Sequence, residues 1–411
     1  MSSSGYVYVI IEHIDSGSYA NVWKAYSVKD RNMVAIKVAL EDSEAEIVAE
    51  IDNIKKLESD YLPRVLDEID EPFRGYVMNF MDVSLGDVCG TVLPINTLIK
   101  IMYGCLKGLS DMHKNGFLHC DVKPKNILLK SFDCVDDEKM LESLREAESL
   151  KKIKEIINDW VFAKQDIDID DDDISVVSDS SEAGEDSSTE EESESSGNAS
   201  FDQSMSDNDS IHTKTKGNTS LSHDVLTEKP LLNVENVWIS DLGGSVHTEN
   251  LNKHFIVTPT TFCAPETLLG HAFTNKSDVW SLGCTFYELI TGERLLERTC
   301  EDVSEKREIV NKIHTHISNI PNETINTSQN KILFFRNDMS LKGCNTAMKP
   351  WYETLFENLS RYTNDFKKVI IAKLLINMLC SDQQERISSC GGAKILVTSF
   401  GDKIYCQRVL T

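Results

Sequence analysis
The chain has 411 residues, 40% of them hydrophobic, which suits two lobes or domains around a sizeable core; no run of about 18 apolar residues and no basic-then-apolar start is present, so neither a membrane span nor a secretory leader is expected. The net charge of -25 is local, because residues 131–236 hold about 29 Asp and Glu against about 9 Lys and Arg; the acidity marks one segment, and no direct contact with nucleic acid is expected. The 11 cysteines are odd in number and form no CxxC pair, which disfavours a disulfide framework or a structural zinc site and points to reduced thiols in the cytosol or nucleus.

Residues 6–11, YVYVII, are β-branched and aromatic and read as a strand. Ile14 to Tyr26, IDSGSYANVWKAY, reads as a hairpin, whose turn could lie over phosphates and donate backbone N–H groups. Against the pattern Gly-x-Gly-x-x-Gly-x-Val only Gly17 survives as glycine. Asp15 and Ala20 take the outer positions and Val22 matches, so an ordinary hairpin competes with a phosphate-binding one. Val34-Ala35-Ile36-Lys37 fits a central strand, where a Lys is either solvated or aimed at phosphates with a carboxylate to hold it. Residues 44–57 place Ile47, Ile51, Ile54 and Leu57 at helical spacing, with Glu50 as the preferred partner of Lys37 and Glu46 as the alternative.

Residues 75–81, GYVMNFM, form a buried strand leading into a connecting hinge at Asp82. A helix over 96–116 stops at Asn115-Gly116. His119-Cys120-Asp121-Val122-Lys123-Pro124-Lys125-Asn126 then gathers the parts of a phosphoryl-transfer loop. An Asp can accept the proton of an attacking hydroxyl, a Lys two residues on can neutralise a phosphoryl group, and an Asn five residues on can ligate a metal ion. Ile127-Leu128-Leu129 follows as a short strand.

Residues 131–236 form an insertion, with one amphipathic helix over about 138–163 and a serine-rich acidic stretch over about 165–230 that is too polar to fold. That stretch reads either as a phosphorylatable segment that binds a basic partner or as a solvated spacer. Order resumes with the strand Val237–Ser240 and then Asp241-Leu242-Gly243, where an Asp at a strand end can swing onto a metal bridging phosphates. Residues 244–263 read as a loop. Ala264-Pro265-Glu266 follows, Asp278-Val279-Trp280-Ser281-Leu282-Gly283 opens an apolar helix, and further helices are expected near 304–318 and 351–380.

VAIK, HCDVKPKN, DLG, APE and DVWSLG, in this order, resemble the eukaryotic-type protein kinase pattern over about 7–130 and 237–400. The resemblance implies an α+β, two-lobed protein kinase fold with ATP between the lobes: a β-rich N-lobe over 6–82, a helical C-lobe over 83–130 and 237–400, and a tail over 401–411. It implies that Lys37 contacts the ATP phosphates with Glu50 as its partner. Asp121 is then the catalytic base, Lys123 stabilises the transferring phosphate, and Asn126 and Asp241 ligate Mg2+. Ile14, Asp15, Gly17, Ala20, Val22, Ala35, Asn79, Met81 and Leu128 would line the nucleotide site, with Met78 as gatekeeper. Ile54, His119 and Leu242 would form part of a regulatory spine, Asp278 would anchor the catalytic loop, and Glu266 would pair with Arg386.

The 115 positions from Asn126 to Asp241, the DLG string and the Val-Trp after the glycine loop are similar to the SR-protein kinase group, which is split here by an acidic spacer. Several positions depart from the wider family. Cys120 replaces the Arg that binds a phosphorylated activation loop, and Lys125 replaces a Glu that often receives a substrate arginine. Pro259 replaces a threonine, with Thr258 and Thr260 as alternatives. The expected activity is ATP-dependent phosphorylation of Ser and Thr in protein substrates by a monomer. The competing reading is a pseudokinase or scaffold that acts through the insertion.

Overall fold
Period-two alternation in the first hundred residues builds a sheet with two dissimilar faces. The strands are β1 (Tyr8–Ser16), β2 (Ala20–Ser27), β3 (Asn32–Ala39), β4 (Asp67–Ile69) and β5 (Gly75–Asn79), in the order β1-β2-β3-β5-β4 and antiparallel throughout. The chain is described by a computed structural model over residues 5–70, 73–131, 135–167, 233–253, 258–299, 303–343, 350–363 and 366–401. Ala25, Val34, Ile36 and Val77 cluster on one face. Ala35, Tyr76 and Met78 cluster on the other with Ile47, Ile51 and Ile54 of helix α1 (Glu44–Lys55), which is why the helix packs with its Glu50 side inward. The strand expected over 6–11 runs on to Ser16, so Ile14 and Asp15 belong to β1 and the turn is shorter than the sequence suggests.

Past β5, the hinge residue Asp82 is locked by its own carboxylate. Oδ1 accepts from Lys130 Nζ at 2.9 Å and Oδ2 from the Ser131 N–H at 2.8 Å. Strand β6 (Val83–Ser84) follows, then helix α2 (Ile95–Lys114), which ends where Gly116 adopts φ +76. A Cβ there would sit 2.7 Å from His247 Nε2, so both conformation and crowding require glycine. Strand β7 (Phe117–Leu118) leads to the catalytic-type loop, and β8 (Ile127–Ser131) leaves it.

The insertion does not begin as a free segment. In place of one helix over 138–163 there are two, α3 (Val135–Glu146) and α4 (Leu150–Ile167). Met140 and Leu144 of α3 and Ile153 and Ile157 of α4 bury against Ile11, Tyr26 and Met33 of the N-terminal sheet. Tyr26 Oη donates to the Leu144 carbonyl at 3.1 Å, and Arg31 Nη1 donates to the Arg145 carbonyl at 2.8 Å. Lys24 stacks on Trp160 at 5.2 Å and on the hinge Phe80 at 4.6 Å. The sequence shows the apolar positions but not the surface they cover, because that surface is the outer side of strands more than a hundred residues earlier. Leu144→Ala is expected to lower unfolding stability by about 3 kcal/mol, read by urea denaturation, since it empties the centre of this contact. A change under about 0.5 kcal/mol would mean that the two helices contribute little.

One compact unit comprises residues 1–164 and 230–411. Of the other, 165–229, only 165–167 at the end of α4 are described; the rest, and with it nearly all of the stretch expected to be disordered over about 165–230, lies outside the described residues, as does the tail past 401. The chain returns in β9 (Val234–Ile239), which pairs with β8 from Ile127↔Ile239 to Ser131↔Val234. Strand β10 (Val246–His247) pairs with β7, so the stretch expected to be loop starts with a short ladder.

The rest is helical: α5 (Pro265–Leu268), α6 (Asn275–Thr291), α7 (Glu305–Lys312), α8 (Asn322–Asn326), α9 (Lys331–Phe334), α10 (Trp351–Tyr362), α11 (Phe366–Met378) and α12 (Ser389–Phe400). The helix expected over 304–318 is α7 followed by a π-turn at 313–317, and that over 351–380 is two helices, α10 and α11. Trp280, Leu282 and Phe286 of α6, Leu106 and Leu109 of α2 and Leu375 of α11 share one core with the α1 face of the sheet. Among the described residues no helix is long and apolar enough to cross a membrane.

Candidate active site
Helix α6 supplies the anchor. Thr274 caps it, with Ser277 completing a capping box, and Asp278 stands in its first turn. The Asp278 carboxylate is fully buried. It accepts the N–H of His119 at 2.9 Å and of Cys120 at 3.0 Å, and it contacts His113 Nε2 at 2.8 Å. Cys120 sits at φ +66, a left-handed conformation that a side chain rarely adopts and that costs about 1–3 kcal/mol unless the surroundings enforce it. The two bonds to Asp278 enforce it, and they turn the loop so that Asp121 follows. Asp278→Ala is expected to lose about 3 kcal/mol of stability and most of any activity, checked by thermal unfolding alongside a turnover assay. Retained stability would show that the strained loop holds itself.

The Asp121 carboxylate has two unlike oxygens. Oδ2 accepts from Asn126 Nδ2 at 3.0 Å and meets Lys123 Nζ at 3.1 Å. Oδ1 is buried and takes no hydrogen bond from the protein. Asn126 uses both amide protons on Asp121, one on Oδ2 and one on the backbone carbonyl at 2.9 Å. That orientation leaves its Oδ1 as an acceptor. His119 bridges the loop to β9: its Nδ1 accepts the Asp121 N–H at 3.2 Å, so its Nε2 carries the proton donated to the Ser240 carbonyl at 3.0 Å.

On the other side of the cleft, Lys37 Nζ lies 2.8 Å from Glu50 Oε2 and 2.9 Å from Asp241 Oδ1. Burial pulls the ammonium toward neutrality, but Glu50, Tyr76 and Asp241 outweigh it and hold its pKa well above the ordinary value. Burial likewise favours the neutral form of Asp241, and the Lys37 charge overrides it to keep the carboxyl below its ordinary range. Asp241 is itself left-handed at φ +64, the second such residue in the site. Of the two helix carboxylates considered for Lys37, the structure brings Glu50 to it, and Glu46 lines an outer cavity instead.

The remaining residues singled out in the sequence fall around this cleft. Ala35 pairs with Met78 across β3 and β5, and Val22 pairs with Lys37; Ala20 and Ala35 are buried, while Val22 and Leu128 are half-buried. Asn79 ends β5, and Met81 lies in the hinge. Gly17 closes the β1–β2 turn with its N–H on the Ala20 carbonyl at 2.8 Å, and Ile14 is exposed. Asp15 does not stand free beside the β1–β2 turn, because its Oδ1 is 3.0 Å from Lys125 Nζ. Ile54, His119 and Leu242 are all buried.

The sequence reading missed several contributors. Asn53 Nδ2 donates to the Ser245 carbonyl at 3.1 Å and ties α1 to the residues after Asp241; its signal is a polar residue one turn after Glu50 on the buried side of the helix. Tyr19 places its ring 6.0 Å from Lys37 Nζ, and burial pushes its phenol up to about 12. Thr258, one of the two alternatives for the replaced threonine, donates to the Cys120 carbonyl. Tyr19 carries no sequence signal, because it acts across the fold, and for Thr258 the sequence names the residue but not its partner.

The residues present suit a nucleotide-bound Mg2+. Asn126 Oδ1 and the Asp241 carboxylate are hard oxygen donors on facing segments, and Asp121 Oδ1 is an acceptor without a partner in the protein. Among the described residues no three His, Cys, Asp or Glu side chains gather to hold a metal on their own, so phosphate and water oxygens would complete the coordination.

A family model described as protein kinase domain matches residues 8–165 and 219–398, and the break falls inside the insertion. Over 132 residues the chain is 34% identical to a probable serine/threonine-protein kinase of Dictyostelium discoideum, covering 30% of this chain and 26% of that protein. It is 31% identical over 126 residues to serine/threonine-protein kinase 4 homolog B of the same organism, covering 29% of this chain and 11% of that protein. The matches thus span about a quarter or less of the length of these relatives. A chain of the crystal structure of the yeast RNA Pol II CTD kinase CTDK-1 complex superposes with a TM-score of 0.57 at 15% identity, covering 94% of this chain and 91% of that one, which shows a shared fold.

Proposed function
The chain belongs to the protein kinase domain family, and from that premise we propose that it transfers the terminal phosphoryl group of ATP to serine and threonine hydroxyls of proteins. The observation that carries this reading is the joint placement of Lys37, Glu50 and Asp241 in one ion network and of Asp121, Lys123 and Asn126 in the facing one. Asp121 orients the incoming hydroxyl and takes its proton on Oδ1, the oxygen that nothing in the protein occupies. Lys123 meets the charge that develops on the phosphoryl oxygens, and Lys37, held by Glu50, fixes the chain of phosphates. Asn126 and Asp241 would hold Mg2+, which when bound would neutralise phosphate charge. Val22, Ala35 and Leu128 enclose the adenine, with the Asn79–Met81 backbone at its edge.

Catalysis here is positioning and electrostatics on a rigid frame, with no covalent enzyme intermediate. The SR-protein kinase group is the finer assignment, supported by the place of the acidic insertion, the Asp241-Leu242-Gly243 string and the non-arginine residue at 120. Cysteines without paired spacing support a reducing compartment, cytosol or nucleus. Incubation of the purified full chain with γ-labelled ATP, Mg2+ and a mixed Ser/Thr peptide library tests the reading, and labelled peptide is the expected result. ATP binding without any transfer would overturn it in favour of a scaffold.

A further inference from the structure
The position beside Asn126 carries an ammonium that the mechanism does not use. Lys125 is exposed on the catalytic loop, yet its Nζ is 3.0 Å from Asp15 Oδ1, a carboxylate on the opposite lobe. The pair therefore spans the mouth of the cleft. A bulge in β1 between His13 and Asp15 interrupts the register there, and such an extra residue re-aims the side chains next to it. The other carboxylates on the hinge side are engaged within the chain: Asp82 by Lys130 and the Ser131 N–H, Asp87 by the Ser84 N–H and hydroxyl. The mouth of the site thus offers a cation held by a replaceable anion, while Asp82 and Asp87 on the hinge side are engaged.

We infer that Lys125 reads the substrate by taking a carboxylate or phosphate group that flanks the accepting hydroxyl, and that Asp15 holds its place until the substrate arrives. The inference rests on the phosphotransfer reading and names its substrate class as acidic or already phosphorylated protein segments. The reach is adequate. Asn126, the next residue, touches Asp121, and extended peptide advances only about 3.3–3.6 Å per residue, so a flanking side chain comes within range of an ammonium on this loop. The exchange is one ion pair for another, both partly exposed. Its effect is therefore a discrimination of about fivefold and not a requirement, and it weakens in salt.

The test uses serine peptides identical except for flanking Asp/Glu, phosphoserine, Arg or Ala, with transfer measured as kcat/KM. Alanine-for-serine versions are measured in parallel by fluorescence anisotropy with the full chain. The chain should favour both anionic peptides over the neutral one by about fivefold, chiefly in KM, and disfavour the Arg peptide. Lys125→Glu should invert that order, and Asp15→Asn should tighten the anionic peptides about two- to fivefold by removing the competitor. A gain for the phosphoserine peptide alone would still support the inference, with phosphate as the anion. An unchanged order in Lys125→Glu, or a wild-type preference for Arg, would overturn it. Binding of the non-accepting peptides needs no catalysis, so an intact order of affinities without transfer would overturn the kinase reading alone.

Discussion

Asp121→Asn is expected to lower kcat about 100- to 10,000-fold while leaving thermal stability within about 1 kcal/mol of the parent. The amide is isosteric, and its oxygen can still accept from Asn126 Nδ2 and face Lys123 Nζ, the two contacts that now hold Oδ2 at 3.0 and 3.1 Å. What disappears is the basic oxygen at the position of Oδ1, which is buried and without a protein partner. Removal of a base that acts only in the transition state lowers kcat and kcat/KM together and leaves KM nearly unchanged. Steady-state transfer to a peptide, with a parallel thermal melt, checks both halves. A kcat within about threefold of the parent would show that proton transfer does not pass through this residue, and a collapsed melt would show that the loop depends on its charge.

Arg386→Ala is expected to cost about 3–5 kcal/mol of unfolding free energy, the largest stability effect in the folded unit. Arg386 and Glu266 are each 1% exposed. Nη1 and Nη2 donate to the two carboxylate oxygens at 2.7 and 2.9 Å, a bidentate fork. Two of the remaining three donors are also used, Nε on the Cys380 carbonyl and Nη1 on that of Lys276, both at 2.8 Å, while the guanidinium carbon lies 5.0 Å from the Trp280 ring centre. Truncation leaves Glu266 charged in an apolar interior with only the Ser277 hydroxyl, at 2.9 Å, to solvate it. Glu266→Leu combined with Arg386→Met should recover part of the loss, because no lone charge remains, but not all, because the Ser277 hydroxyl proton and the Cys380 and Lys276 carbonyls lose these partners. Urea denaturation of the two variants distinguishes these terms. A cost below about 1 kcal/mol for Arg386→Ala would mean that water reaches the site.

The two effects separate what the pair of sites does. Asp121 lies in a loop whose strained turn at Cys120 is set by Asp278, and Glu266–Arg386 fastens the segment just before the helix that carries Asp278. The Ser277 hydroxyl that contacts Glu266 belongs to the same helical turn as Asp278, so the ion pair and the loop anchor share one segment.

Much of this was legible in the sequence because kinase-type chemistry needs particular groups at short spacings on one loop. Asp121, Lys123 and Asn126 lie within six consecutive residues, and their spacing alone sets what they can do together. Elements with strong periodicity, such as α1 and α2, were legible for the same local reason. Long-range pairing needed the tertiary structure. Lys37 meets Asp241 across 204 positions and Lys125 meets Asp15 across 110, and no local signal encodes either. The single helix expected in the insertion is broken at 147–149, because its two apolar stripes bury against the outer side of β1 to β3 and that surface, not helix propensity, sets where the chain must turn. The sequence by itself determined the chemical groups, the order of the elements and the place of the insertion, since these follow from residue type and local period. The tertiary structure alone decided which carboxylate holds which cation and which oxygen of Asp121 is left without a partner, because burial and distance, and not spacing along the chain, set the strength of those interactions.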